Sequence, residues 1–197
     1  APVRSLLKDK DSEVRAQAAK LLGDHGAADM AGALVAALKD GDNRVKFFAA
    51  QSLGKLKYAA AAPALLAALK ANADKDEYLR HALVMGLVGG DNQTALAAGA
   101  RSPSAAVRLG VLLAYRRLGA STITAFLQDT DPYLVREAAL AINDAPINAA
   151  LPALAALTEH SSNDEAVMQR ALHAHFRLGQ TANDALRTGI RFAEVGS

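Results

Sequence analysis

The stretch Asp11-Ser-Glu-Val-Arg-Ala-Gln-Ala-Ala-Lys-Leu-Leu-Gly23 returns, position for position, as Asp42-Asn-Arg-Val-Lys-Phe-Phe-Ala-Ala-Gln-Ser-Leu-Gly54. Both copies carry an acidic residue, Val three places later, a basic residue, an alanine pair and a closing Leu-Gly. Internal self-similarity decides an architecture before any local propensity does. Weaker copies run from Asp76 to Gly89, Ser102 to Gly119, Asp131 to Asp144 and Asp164 to Gly179. Aligned on their basic residues, Arg15, Lys46, Arg80, Arg108, Arg136 and Arg170, the copies step by 31, 34, 28, 28 and 34 residues. Each step has room for one two-helix unit.

Apolar residues recur at three and four positions rather than two, alanine and leucine dominate, and β-branched residues are sparse, so the chain is expected to be helical throughout. Ser102-Pro103 and Asp131-Pro132 pair an N-cap acceptor with proline at the first helical position, where its missing N–H costs nothing. Gly23, Gly54, Gly89, Gly119 and Gly179 are placed as left-handed helix stops. Companion helices are expected over Ala31 to Lys39, Pro63 to Lys70, Gln93 to Ala100, Thr122 to Gln128 and Pro152 to Glu159. Ala18-Ala19, Ala49-Ala50 and Ala138-Ala139 occupy one slot, where a methyl group lets neighbouring helices approach without a void. A lone helix pair cannot cover its own apolar face, so stability must come from stacking on the next pair.

Composition narrows the function. Across 197 residues, 22 Lys+Arg oppose 20 Asp+Glu, a balance that creates no field of one sign to hold nucleic acid or an anionic membrane. The absence of Cys excludes disulfides and any Cys-ligated zinc or iron–sulfur site. The uncharged run from Tyr58 to Leu69 is broken by Pro63 and falls short of the roughly 20 apolar residues that span a bilayer, so no membrane insertion is expected. The opening Ala1-Pro2-Val3-Arg4 lacks Met and a signal core, and residues 1–197 read as one repeat domain excised from a longer chain. Leu6-Leu7 at one end, and Leu186, Ile190 and Phe192 at the other, look like first helices left without partners. Flanking domains or end-to-end contacts are expected to cover both ends.

The pattern D-x-x-V-R-x-x-A-A-x-x-L-G resembles the HEAT and HEAT-like (phycobilisome-lyase type) repeat, over nearly the whole chain. The resemblance implies an all-α, right-handed α-α superhelix, a HEAT-like α-solenoid, of about six helix pairs. It also implies a ladder of hydrogen bonds between adjacent repeats, formed by Asp11 and Arg15, Asp42 and Lys46, and Asp76 and Arg80. Ser104 replaces the acid before Arg108, and the spacing shifts before Arg136 and Arg170. The segment Arg136 to Asn148, with Leu151-Pro-Ala-Leu154 and Arg170 to Gly179, is similar to the HEAT region of large exported bacterial membrane-bound or sorbosone-type dehydrogenases. That second resemblance implies a periplasmic spacer or docking arm between a β-propeller and a c-type cytochrome domain.

No residue pattern points to catalysis. His173 and His175 are two apart and point to nearly opposite faces of a helix, whereas a chelating pair needs three or four. His25, His81 and His160 stand alone. There is no nucleophile motif, and Gly86-Leu-Val-Gly89-Gly90 lacks the preceding strand and following Lys of a phosphate loop. The carboxylate pairs Asp9/Asp11 and Asp129/Asp131 are placed as helix caps. Phe47 and Phe48 beside Arg44 and Lys46, and Tyr115 beside Arg116 and Arg117, come closest to an aromatic–basic platform, thin support for base stacking. What remains is a surface. The second helices should line a concave side with Glu13, Ala16 and Lys20, then Arg44, Phe47 and Gln51, then Tyr78, His81 and Met85, followed by Leu109, Leu113, Glu137, Ala141, Met168 and His175. The expected function is a non-catalytic interaction scaffold or interdomain spacer. Its partner would be a protein or a flanking domain of the same polypeptide, and it would need no cofactor, metal or small-molecule substrate. A nucleic-acid-binding or enzymatic module using the same face is the alternative.

Overall fold

A computed structural model describes residues 2–144, 146–159 and 164–179. Leu186, Ile190 and Phe192, and also His160, lie outside the described residues. Among the described residues there is no strand, and the chain is an all-α helical repeat protein. It divides into two compact units, Ala1–Leu118 and Gly119–Ser197.

The first unit contains α1 (Pro2–Leu6), α2 (Ser12–Asp24), α3 (Ala31–Ala37), α4 (Asn43–Lys55), α5 (Ala62–Asn72), α6 (Glu77–Gly90), α7 (Gln93–Gly99) and α8 (Ala105–Leu118). Each even-numbered helix pairs with the shorter one before it, and α2 packs along α4 and α4 along α6. The alanine slot explains the close packing: Ala18, Ala19, Ala49 and Ala50 are buried. The second unit contains a 3-10 segment (Ser121–Gln128), α9 (Pro132–Asp144), α10 (Leu151–Ala155) continued by a 3-10 turn (Ala156–Glu159), and α11 over 165–179. Its core gathers Ile123, Phe126, Leu134, Ile142, Leu154 and Val167, with Ala138 and Ala139 buried in the equivalent slot. No described helix is long and apolar enough to cross a membrane.

The helix starts follow their caps. Asp11 accepts the Glu13 N–H at 2.8 Å, Asp42 the Arg44 N–H at 2.8 Å, Asp76 the Leu79 N–H at 2.9 Å and Asp131 the Tyr133 N–H at 3.0 Å. The start expected at Ser102-Pro103 is corrected. Ser102 Oγ accepts the Ser104 N–H at 3.2 Å in a local turn, and the Ser104 carbonyl accepts the N–H groups of Val107 and Arg108, so the helix begins at Ala105. The segment expected as a helix over Thr122 to Gln128 is 3-10, in keeping with the poor helix propensity of Ser121-Thr-Ile-Thr124.

The glycine stops are corrected too. Gly23, Gly54 and Gly89 are inside helices, and Gly179 is helical. Besides Ala73 and Asp74, which close α5, left-handed backbone occurs at Gly26, Lys57, Asp91 and Gly119, each fifteen residues after the residue preceding its helix. Of the expected stops only Gly119 has that geometry. The earlier glycines serve a different need: a Cβ on Gly89 would lie 2.2 Å from the Gly54 carbonyl oxygen, and one on Gly23 2.3 Å from Ser52 Oγ. Glycine here sets how closely adjacent repeats approach.

Candidate functional site

The first turns of α4 and α6 build the most distinctive surface. Asn43, one residue after its cap, donates to the Asp76 carboxylate at 2.9 Å, joining the start of one repeat to the next. Asp76 is held below the usual carboxylate range, first by the Leu79 N–H and further by Asn43. Asp42 is held low likewise, first by the Arg44 N–H and also by the Ser12 hydroxyl of the preceding repeat. Two clefts share the Asn43–Asp76 bridge.

On one side, Arg44, Phe47, Phe48, Tyr78 and Leu79 enclose about 310 Å³ together with the bridge. The rings of Phe47 and Phe48 meet edge to face, with centroids 5.2 Å apart. The Arg44 guanidinium lies 5.3 Å from the centre of the Phe48 ring and pairs with Glu13 of α2 at 2.8 Å. Tyr78 is 74% exposed. On the other side, Lys39, Lys46 and Lys75 rim a cleft of about 470 Å³ floored by alanines of α5.

Of the face residues expected from sequence, Arg44, Phe47 and Tyr78 line the aromatic cleft, and Glu13 joins it through Arg44. Gln51 and Met85 are half-buried and His81 is exposed, none of them lining the cleft. Lys20 is directed to Asp24, with which it bonds at 2.7 Å. Lys20 first, with Lys55, pulls Asp24 down to about 2. Ala16, Leu109 and Ala141, counted with the same face, are buried instead. His175 bonds Thr158 at 2.9 Å and His173 is exposed.

The ladder residues are placed as follows. Asp11, Asp42 and Asp76 are N-caps. Arg15 grips Asp40 with two hydrogen bonds, at 2.8 and 2.9 Å, and donates to the Asp9 carbonyl at 2.8 Å. Lys46 donates to Asn43 at 2.9 Å, and Arg80 pairs with Asp74. Side-chain contacts between successive repeats include Arg15–Asp40, Arg44–Glu13 and Asn43–Asp76.

Sequence reasoning passed over Ser12, Asn43 and Asp40 as bridging residues. The available signals were a short polar residue directly after the first two acidic caps, Asp11 and Asp42, and an aspartate two before Asp42 that repeats in Asp9/Asp11 and Asp129/Asp131. In each of these pairs the first carboxylate accepts the N–H of the second residue, at 2.9, 2.9 and 2.8 Å. From sequence alone Phe48 reads only as a stacking partner for bases.

Residues 1–88 match the family model for HEAT repeats. No curated protein matches the chain. Among solved structures, the chain is similar to the complex of CpcE and CpcF of phycocyanin lyase from Nostoc sp. PCC7120, at 24% identity over 87% of this chain and 74% of that one, with a TM-score of 0.49. It is similar to the YibA protein of Escherichia coli at 17% identity over 88% of this chain and 68% of that one, with a TM-score of 0.45. An engineered protein is similar at 18% identity over 88% and 95%, with a TM-score of 0.42.

Proposed function

We propose that this chain, a HEAT-like repeat protein, is a non-catalytic interaction scaffold that receives its partner in the aromatic cleft between α4 and α6. HEAT repeats are in general interaction modules, and the observation that supports this particular site is the convergence of Arg44, Phe47, Phe48 and the exposed Tyr78 on one cleft. Interface cores are enriched in aromatics and arginine, and Tyr and Arg anchors carry most of the binding energy. Arg44 has two roles: its ion pair with Glu13 is solvent-accessible and exchangeable, so an incoming carboxylate can replace Glu13 while the guanidinium stays over Phe48. The partner is a protein or a flanking domain of the same polypeptide, and the cleft is part of the concave face of the repeat stack.

The test is capture of interacting proteins from lysate of the source cells by wild type, Phe47→Ala, Tyr78→Ala and the control Tyr133→Ala, with helicity checked for each. Phe47→Ala and Tyr78→Ala are expected to weaken capture by about tenfold or more, the usual effect of truncating an interface anchor. Tyr133→Ala, in the second unit, should leave it unchanged. Full capture by both cleft variants would move the site elsewhere.

A further inference from the structure

The cleft rimmed by Lys39, Lys46 and Lys75 lies across the Asn43–Asp76 bridge from the aromatic site, between the C-terminal halves of α3 and α5 and within the first unit. Its floor is apolar: Ala64 and Ala68 are half-buried and Ala67 and Ala71 exposed, together with the buried Leu38 and Leu79. Most of its polar groups are already engaged. The Asp40 carboxylate takes the Arg15 fork and the Asp42 N–H, and the Asp76 carboxylate takes Asn43 and the Leu79 N–H. Asn72 closes its turn on the Asp76 backbone, donating to the carbonyl at 2.9 Å and accepting the N–H at 3.3 Å. The lysines differ. Among the described residues none of the three forms an ion pair, and only the Lys46 ammonium has a hydrogen-bond acceptor, Asn43.

A second cleft, of about 450 Å³, adjoins the first and shares Lys39 and Asp40 with it. Arg4 and Lys8 complete its rim, and small residues of α3 form its floor. Helices pack about 10 Å apart, so two adjoining clefts offer about 20 Å, the length of about six extended residues. The chain as a whole is near charge balance, yet this strip gathers five cations against two carboxylates that are already bonded.

We infer that this strip docks an extended acidic segment of a partner protein, with carboxylates on Lys39, Lys46 and Lys75 and small apolar side chains against the α5 floor. Charge complementarity selects an anionic occupant, and the remaining geometry selects a peptide. Ala67 and Ala71 are exposed, so a small molecule would be covered on one side only, whereas small-ligand sites cover most of their ligand. The neighbouring helix starts offer no phosphate cradle, because Asp42 accepts the Arg44 and Val45 N–H groups and Asp76 accepts that of Leu79. A nucleic-acid backbone would carry unbroken charge past Asp40 and Asp76, where a peptide can set neutral residues. An extended chain of alternating acidic and small residues sends its carboxylates to one face and its methyl groups to the other. Lysines are point charges on flexible stems, suited to carboxylates that do not share one fixed geometry. The site would hold its segment whether or not the aromatic cleft is occupied.

Fluorescence anisotropy of the full chain at low salt tests this, using a labelled peptide of alternating Glu and Ala long enough to cross both clefts. The comparison probes are the same peptide with Gln in place of Glu and an oligothymidylate of similar length. The Glu-Ala peptide is expected to bind saturably, to outbind both other probes and to weaken as salt rises. Lys39→Glu combined with Lys75→Glu, both at exposed positions, should weaken its binding about tenfold or more, because like charges then face each other. Lys70→Glu combined with Arg101→Glu makes the same change of net charge at exposed positions outside the strip and should weaken it far less. Tyr78→Ala should bind the peptide as the wild type does, which separates failure of this site from failure of the aromatic cleft. Helicity is confirmed for every variant. Absence of saturable binding, or equal loss in the two double variants, would overturn the proposal. So would loss in Tyr78→Ala, which would move the peptide across the bridge, or preference for the oligothymidylate, which would make the strip a nucleic-acid surface.

Discussion

The carboxylate of Asp40 makes two kinds of contact at once: it takes both bonds of the Arg15 fork from the preceding repeat and accepts the N–H of Asp42, the cap of its own. The Arg15 hydrogen bonds are the main reason its ionisation is held below the usual carboxylate range. A carboxylate with a depressed folded pKa adds stability that is fully present above its unfolded pKa, near 4, and is lost as pH falls through the lower folded value. Asp40→Asn is therefore expected to be less stable than wild type at neutral pH in urea denaturation. The difference should close as pH drops below about 4, where the wild-type carboxylate loses its charge as well. A difference independent of pH would mean that the bond to Asp42, and not the charge, is what the substitution disturbs. The first resemblance places Arg15 in a ladder between adjacent repeats without naming its acceptor. The true acceptor is 25 positions away in sequence, and no local spacing encodes it.

At the scale of elements, the helix pairs were legible because apolar period, acidic caps and alanine slots all agree, as in α2 and α4, where cap, slot and basic residue recur at identical offsets. Helix ends were not legible. A glycine can signal a left-handed stop or a close approach, and the letter is the same. At Gly54 and Gly89 the second need prevails, and the stops fall later, on Asp91, one of the few residue types other than glycine that tolerate positive φ, and on Lys57, which does so less readily. The α4–α6 distance should then be sensitive to one methyl group. Alanine at 89 gains up to about 1 kcal/mol of helix propensity, but it meets the Gly54 backbone, which cannot rotate away. The overlap costs typically 1–3 kcal/mol. Gly89→Ala is expected to lower the urea midpoint, while Gly32→Ala, with nothing within 4 Å of the added Cβ, should not. Equal midpoints for wild type and Gly89→Ala would show that α4 and α6 can separate at no cost. The aromatic cleft was half legible: Phe47, one after Lys46, and Tyr78, two before Arg80, fall on one expected face, but Asn43 enters it only through the bridge to Asp76.

For the molecule as a whole, the division at Leu118 has a consequence for folding. Stability in repeat proteins is a sum of intrinsic and nearest-neighbour terms, so a run of several pairs should persist where a single pair does not. Residues 1–118 alone are expected to be helical and to melt cooperatively by circular dichroism, whereas residues 28–55, one pair, should show little helix. A fragment 1–118 lacking a cooperative transition would mean that the first unit depends on the second. The junction at Ser52 carries a further consequence. Its hydroxyl reaches the Ala19 carbonyl only because Gly23 leaves space beside it, and the next junction uses no hydroxyl at all, setting Gly86 and Gly89 against the backbone of α4. Each seam is keyed to its own two neighbours. Gene duplication or shuffling that copied one pair into another slot would produce mismatched seams, so this array can lengthen only if compensating substitutions arise on both sides of every new joint.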